Sequence, residues 1–248
     1  MTPAALVTVL NRYMTVMSEP VRRHSGIIDK YIGDAIMAFW GPPFTGADEQ
    51  ARLACLAALD QIAGFAAYRA ELPDLIGLKR GFPEIDIRIG IGTGDVVVGS
   101  IGSDQTRNYT VIGDTVNLAS RIEGANKTYG TRVLISEATT NNLAADMLET
   151  REIDTVVVVG RTEPQRIFEL LGRKGEVARE RLALRDAYVE ALDAYRRKDW
   201  EKALVGFEDC LAIVPCDAPS KLFLERIARF RVTAPCAEWS GVWSLVEK

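Results

Sequence analysis

Gly26–Pro43 reads GIIDKYIGDAIMAFWGPP. Two apolar, β-prone runs, Ile27–Ile32 and Ala35–Trp40, flank Gly33-Asp34. A two-residue Gly-X connection between such runs predicts a hairpin, because Gly at the first turn position supplies the positive φ of a type II′ turn. Gly41-Pro42-Pro43 then stops the second strand. Two charges interrupt the apolar runs. Lys30 lies inside the first strand and Asp34 at the tip. Residues 30, 32 and 34 share a face of a regular strand, so the cation and the carboxylate project the same way, apart along the strand.

A second stretch, Ile85–Glu123, reads IDIRIGIGTGDVVVGSIGSDQTRNYTVIGDTVNLASRIE. Together, DKYIGDAIMAFWG, GIGTGDVVVGSIGS and YTVIGDTVNLASRIE resemble, in order and spacing, the blocks of the class III nucleotidyl cyclase catalytic domain. That family converts ATP or GTP to the cyclic 3′,5′-monophosphate. The resemblance covers roughly Leu6 to Leu171 and implies a ferredoxin-like core. Gly90, Gly92 and Gly94 do not make a dinucleotide-binding loop, because Asp95 stands where GxGxxG needs its last glycine. The GG(D/E)EF signature of the diguanylate cyclases is absent as well.

Composition is that of an ordinary globular protein. A net charge of −4 argues against a nucleic-acid surface. No apolar run reaches membrane-spanning length, and Met1–Asn11 lacks the layout of a signal peptide. Cys55, Cys210, Cys216 and Cys236 form no CxxC pair, which predicts reduced thiols and a cytoplasmic setting. The single histidine, His24, rules out a multi-histidine metal site.

In chain order, Thr2-Pro3 opens an amphipathic helix that carries Leu6, Val9, Leu10, Tyr13, Met14, Met17 and Val21 at helical spacing. Ala47–Arg69 reads as a long helix, Leu72–Pro83 as a loop and Ile85–Ile91 as a strand. Val96–Val98 and Tyr109–Ile112 read as short strands, followed by a helix over Thr115–Tyr129 capped by Asp114 and ended by Gly130. Arg132–Ile135 reads as a strand, Ser136–Met147 as a short helix, and Ile153–Val159 with Gln165–Leu171 as a closing hairpin. The expected fold is α+β with a mainly antiparallel sheet. The expected domains are a cyclase domain over 1–172, a charged linker over 173–180 (set within Gly172–Glu180) and an all-α extension over 181–248. In that extension Trp200, Ala203, Phe207 and Cys210 match the second helix of a tetratricopeptide-like repeat, and Trp239 and Trp243 form a docking anchor.

The resemblance also assigns roles. Asp34 matches one of two metal aspartates that hold Mg2+ or Mn2+. Asn117 and Arg121, four apart on one helix face, match the ribose and phosphate contacts, and the planar fork of arginine suits phosphate. Lys30 and Thr110 match the base contacts. Lysine donates to the adenine N1, and a threonine hydroxyl can accept from the exocyclic amine. This Lys/Thr pair resembles the subgroup that includes bicarbonate-responsive adenylate cyclases. Arg161, in the closing turn, is either a contact to the terminal phosphates or a solvated turn residue.

The expected function is therefore conversion of ATP to cyclic AMP and pyrophosphate by a head-to-tail homodimer with interface sites. The family's first strand, with its own metal aspartate, precedes the helix that starts here at Pro3. The expectation is a chain truncated at its start, weak or inactive alone, whose longer form carries an upstream sensor or membrane region. The alternative is a degenerate cyclase fragment that serves as a regulatory or partner-binding module.

Overall fold

The computed structural model of the chain describes residues 2–77, 85–143, 147–157, 163–236 and 238–245. Two compact units emerge, Met1–Ile87 with Gly94–Val116, and Arg88–Thr93 with Asn117–Lys248.

In the first unit, Thr2 caps helix α1 (Pro3–Arg23) by accepting the Ala5 N–H at 3.2 Å, and Pro3 occupies the first turn. Met17 and Val21 of α1 are buried. Strands β1 (Ile27–Ile32) and β2 (Ala35–Phe39) form the expected hairpin, with Ile32 opposite Ala35 and Gly33 at φ 64°. Helix α2 runs from Gln50 to Ile76, past the expected end at Arg69 and through Pro73. Tertiary packing overrides the proline, since Tyr68 and Leu72 are buried with Met17 and Phe65, and Leu75 and Ile76 pack on that cluster. Gly77, at φ 70°, closes α2 and returns its N–H to the Pro73 carbonyl. Strands β4 (Val97–Gly102) and β5 (Arg107–Ile112) make a second antiparallel hairpin.

The second unit centres on a five-stranded sheet of order β3-β6-β8-β7-β9, built from Ile89–Ile91, Val133–Ser136, Gln165–Arg173, Leu148–Val157 and Trp243–Ser244 in that order. β3 is shorter than the alternation of Ile85–Ile91 predicts, because only 89–91 find a partner, β6. Ile85 and Ile87 are used by the first unit's apolar cluster instead. Pairing is antiparallel for β6·β8 and β7·β8 and parallel for β3·β6 and β7·β9. With the two hairpins counted, antiparallel pairs predominate.

Helix α3 (Asp114–Tyr129) buries Leu118, Ile122, Ala125 and Tyr129 on one face. Short α4 (Glu137–Asn141) is capped by Ser136. Helices α5 (Arg179–Arg196), α6 (Trp200–Ile213) and α7 (Ala218–Val232) follow. Of the stretch read as a linker, Gly172 and Arg173 finish β8 and Arg179 and Glu180 open α5, so only 174–178 connects the two. Just beyond it, Arg181 bonds Glu169 of β8 at 3.0 Å.

What docks the three helices is β7 itself. Its sequence, LETREIDTVV, carries a charge at nearly every second position. Glu149 pairs with Arg185 and Glu152 with Arg196, both on α5. Arg151 reaches Asp217, the cap of α7, at 2.9 Å, and Asp154 reaches Arg226 of α7 at 2.6 Å. Around these pairs, Leu118, Tyr129, Leu134 and Ile153 share one core with Tyr188, Phe207 and Phe223. Trp239 packs within 5.3 Å of Tyr195 and 5.1 Å of Phe230, and the Trp243 ring lies 3.9 Å from the Arg226 guanidinium. The tail tryptophans thus complete this core.

Arg226 and Asp154 are both fully buried, and the Tyr129 hydroxyl donates to the same Asp154 carboxylate at 2.5 Å. Removing one partner of such a pair leaves a buried charge uncompensated. Arg226→Met is therefore expected to destabilise the second unit by about 3–5 kcal/mol. Denaturant unfolding followed by the fluorescence of Trp200, Trp239 and Trp243 measures it, and an unchanged midpoint would contradict the docking described.

Candidate active site

The register of β1 against β2 shifts between Ile28 and Lys30, which makes Asp29 the extra residue of a β-bulge. Strict alternation points neighbouring side chains to opposite faces. The bulge instead lets Asp29 and Lys30 both reach Thr110 of β5. Lys30 Nζ donates to Thr110 Oγ1 at 3.0 Å, so residues eighty positions apart, paired through the family resemblance, are in contact. Thr110 Oγ1 donates in turn to Asp29 Oδ2 at 2.7 Å, and the Val111 N–H donates to that oxygen at 3.1 Å. Lys30 Nζ also lies 3.4 Å from Asp29 Oδ1.

The Asp29 side chain is 1% exposed, whereas that of Lys30 is 43% exposed. Burial pushes the Asp29 carboxyl upward, but the hydrogen bonds from Thr110 and Val111 and the charge of Lys30 outweigh it. The net effect holds the group below the usual carboxylate range. Asp29 is the site residue that sequence reasoning missed. Its signal was an acid inside an apolar strand, where Asp is depleted and rarely buried without partners.

Asp34 sits at the hairpin tip, exposed. The Tyr13 phenol is pushed up by burial and then by the negative charge of Asp34. Among the described residues no group of three or more His, Cys, Asp or Glu could hold a metal by itself. An accessible single carboxylate nonetheless suits Mg2+ or Mn2+, which are bound through one or two carboxylates plus substrate phosphates rather than by a protein cage.

Asn117 and Arg121 belong to the second unit, on α3. Asn117 is exposed and Arg121 half-buried, away from the buried Leu118–Ile122–Tyr129 face. Arg121 Nη1 is buried with no hydrogen-bond partner among the described residues, a costly state for a guanidinium unless a ligand completes it. α3 lies hard against β3. A Cβ at Gly90 would stand 2.2 Å from the Glu123 nitrogen and 2.3 Å from the Ala119 carbonyl oxygen, so this position admits only glycine. Arg161 falls outside the described residues.

Comparison with known proteins adds to this geometry. Residues 1–172 match the family described as the adenylate and guanylate cyclase catalytic domain. The chain belongs to that family. This cyclase domain is 39% identical over 173 residues to adenylate cyclase 1 of Rhizobium meliloti, covering 68% of this chain and 24% of that protein. It is 39% identical over 172 residues to the adenylate cyclase of Anabaena cylindrica, covering 68% of this chain and 33% of that protein. The chain thus spans a third or less of these relatives. Among solved structures, the adenylyl cyclase CyaB of P. aeruginosa aligns with a TM-score of 0.62 at 30% identity, covering 72% of this chain and 88% of that one. A guanylyl cyclase aligns nearly as well, with a TM-score of 0.58 at 30% identity over 71% of this chain and 85% of that one.

The depressed Asp29 carboxyl gives a signed pH dependence. A carboxylate whose folded pKa is lowered contributes stability above its unfolded pKa and loses it as pH falls through the folded one. Asp29→Asn is therefore expected to cost about 1–3 kcal/mol at pH 7 and less at pH 3. Denaturant midpoints of the native chain and the variant at both pH values check this, and a cost independent of pH would contradict an ionised Asp29.

Proposed function

We propose that this chain is the catalytic domain of an adenylate cyclase, converting ATP to 3′,5′-cyclic AMP and pyrophosphate. The observation that carries the reading is the Lys30–Thr110 contact at 3.0 Å. It sets a donor beside a hydroxyl, and the adenine edge offers an acceptor, N1, beside a donor, its amine. Family membership alone leaves the base open, since both adenylyl and guanylyl cyclases align with the chain.

In the proposed reaction the ribose 3′ oxygen attacks the α-phosphorus. A new P–O bond forms as the α–β anhydride bond breaks, the 3′ hydroxyl proton is released, and pyrophosphate leaves. Asn117 orients the ribose. Arg121 sets its guanidinium against the phosphoryl oxygens, where charge grows in the transition state. Asp34 would be one ligand of Mg2+ or Mn2+, and such an ion would supply charge neutralisation at the phosphates and a more acidic 3′ hydroxyl.

The working form we propose is a head-to-tail homodimer with sites between copies. Val97 and Tyr109 of the second hairpin are 64% and 60% exposed, and Tyr31 and Ile32 on the first hairpin are exposed as well. Bulky apolar side chains on neighbouring strands of one unit suit burial against a protein surface. Reading 181–248 as a tetratricopeptide-like extension rests on the spacing of Ala203, Phe207 and Cys210, all buried on one face of α6. A cytoplasmic setting accords with four free cysteines.

Arg121→Ala should lower cyclic AMP formation about 10²–10³-fold while nucleotide still binds. In the proposed dimer each site takes Asp34 from one copy and Arg121 from the other. Mixing Asp34→Ala and Arg121→Ala chains should therefore restore activity that neither has alone. Assays of cyclic AMP in the separate and mixed samples decide it, and mixed dimers without activity would remove the interface site.

A further inference from the structure

The proposed cyclisation makes no use of Asp29, yet Asp29 determines what Thr110 can do. A threonine hydroxyl has one hydrogen to donate and two lone pairs to accept with. Its partner at 2.7 Å, Asp29 Oδ2, is an ionised carboxylate oxygen that also receives the Val111 N–H, so the hydrogen must come from Thr110. One Thr110 lone pair then receives Lys30 Nζ–H at 3.0 Å. What Oγ1 has left is one acceptor position. Lys30, bonded to Thr110 and facing Asp29 Oδ1, retains one further N–H, and its exposed ammonium can turn that donor outward. The pair therefore offers a ligand one acceptor beside one donor, with no freedom to reverse.

We infer that Asp29 is a specificity-positioning residue: by taking the hydrogen of Thr110 it makes that hydroxyl acceptor-only, and so selects a 6-aminopurine nucleotide against a 6-oxopurine. The inference deepens the adenylate cyclase reading and rests on its assignment of Lys30 and Thr110 to the base. A 6-aminopurine presents a donor beside an acceptor and matches both groups. A 6-oxopurine presents an acceptor to Thr110 and its N1–H donor to Lys30, and is mismatched at both. A site built around committed hydrogen bonds rejects the wrong pattern because its own polar groups are left unpaired. Were Thr110 free to rotate, it could donate to an oxo group and most of that rejection would vanish.

The test compares three nucleoside triphosphates that differ only at purine position 6 and N1: ATP, purine riboside triphosphate without a 6-substituent, and inosine triphosphate. Their affinities are read by displacement of a ribose-labelled fluorescent ATP analogue from the full chain. The expected order is ATP, then purine riboside triphosphate, then inosine triphosphate, with at least a roughly tenfold gap between the first and last. In Asp29→Ala the Thr110 hydroxyl loses the acceptor that takes its hydrogen and is free to donate to an oxo group, so the gap should shrink to about threefold or less. Thr110→Ser should keep the order, and Thr110→Val should erase the difference between ATP and purine riboside triphosphate while Lys30 still disfavours inosine triphosphate. Circular dichroism establishes that each variant is folded. A folded Asp29→Ala protein that keeps the full gap overturns the inference while the adenylate cyclase reading stands. If Asp29→Ala does not fold, Asp29→Leu, which fills the same space without an acceptor, is read in its place. Inosine triphosphate binding as tightly as ATP overturns the inference, and displacement by none of the three overturns the reading beneath it as well.

Discussion

One buried carboxylate ties together two hairpins, each of which would be marginal in isolation. Strands β1–β2 and β4–β5 form separate two-stranded sheets with no ladder between them, and a lone hairpin has little stability in water. Asp29 supplies a side-chain substitute for the missing ladder by accepting from both the Thr110 hydroxyl and the Val111 amide. The bulge in β1 that frees Asp29 from pairing also sends Lys30 to the same threonine. The structural tie and the candidate base contacts are therefore one hydrogen-bonded group. A site residue cannot change there without altering how the hairpins are joined.

The second unit meets the same problem at larger scale. β7 carries acids and an arginine where a plain core strand would carry valine or isoleucine, and each charge meets a partner on α5, at the N-cap of α7 or midway along α7. Buried ion pairs contribute little net stability compared with well-packed apolar residues, but they penalise any other arrangement severely. The tail is thereby fixed in one register on β7. Through Tyr129, which shares Asp154 with Arg226, the last residue of α3 is tied to that same network. The helix bearing Asn117 and Arg121 is thus held at its far end by the tail and along its length by contact with Gly90.

Legibility in the sequence followed the range of the physics involved. The first hairpin, the cap of α1 and the pairing of Lys30 with Thr110 were readable, because turn chemistry is local and the motif blocks are specific. The helix through Pro73 was not, since Leu72 and Tyr68 hold α2 together by contacts distant in sequence. Nor was how closely α5 follows β8, since the end of β8 is set by its pairing with β7. Asp29 was hidden for a different reason. Regular alternation would put Asp29 on the face opposite Lys30, and only a bulge, which depends on strand pairing, brings both to Thr110. Asp34, Asn117 and Arg121 were named from the resemblance, and Arg121 Nη1, buried without a partner, is the structural feature that singles one of them out.

The central proposal is that this chain is a catalytic domain that makes a cyclic nucleotide from ATP in preference to GTP. It is tested most directly by incubating the protein with equimolar ATP and GTP in one vessel, with Mg2+ or Mn2+, and identifying the products by mass spectrometry. The account predicts cyclic AMP in large excess over cyclic GMP, with one pyrophosphate per cyclic product. Cyclic GMP in excess, or phosphate release without any cyclic product, would contradict it.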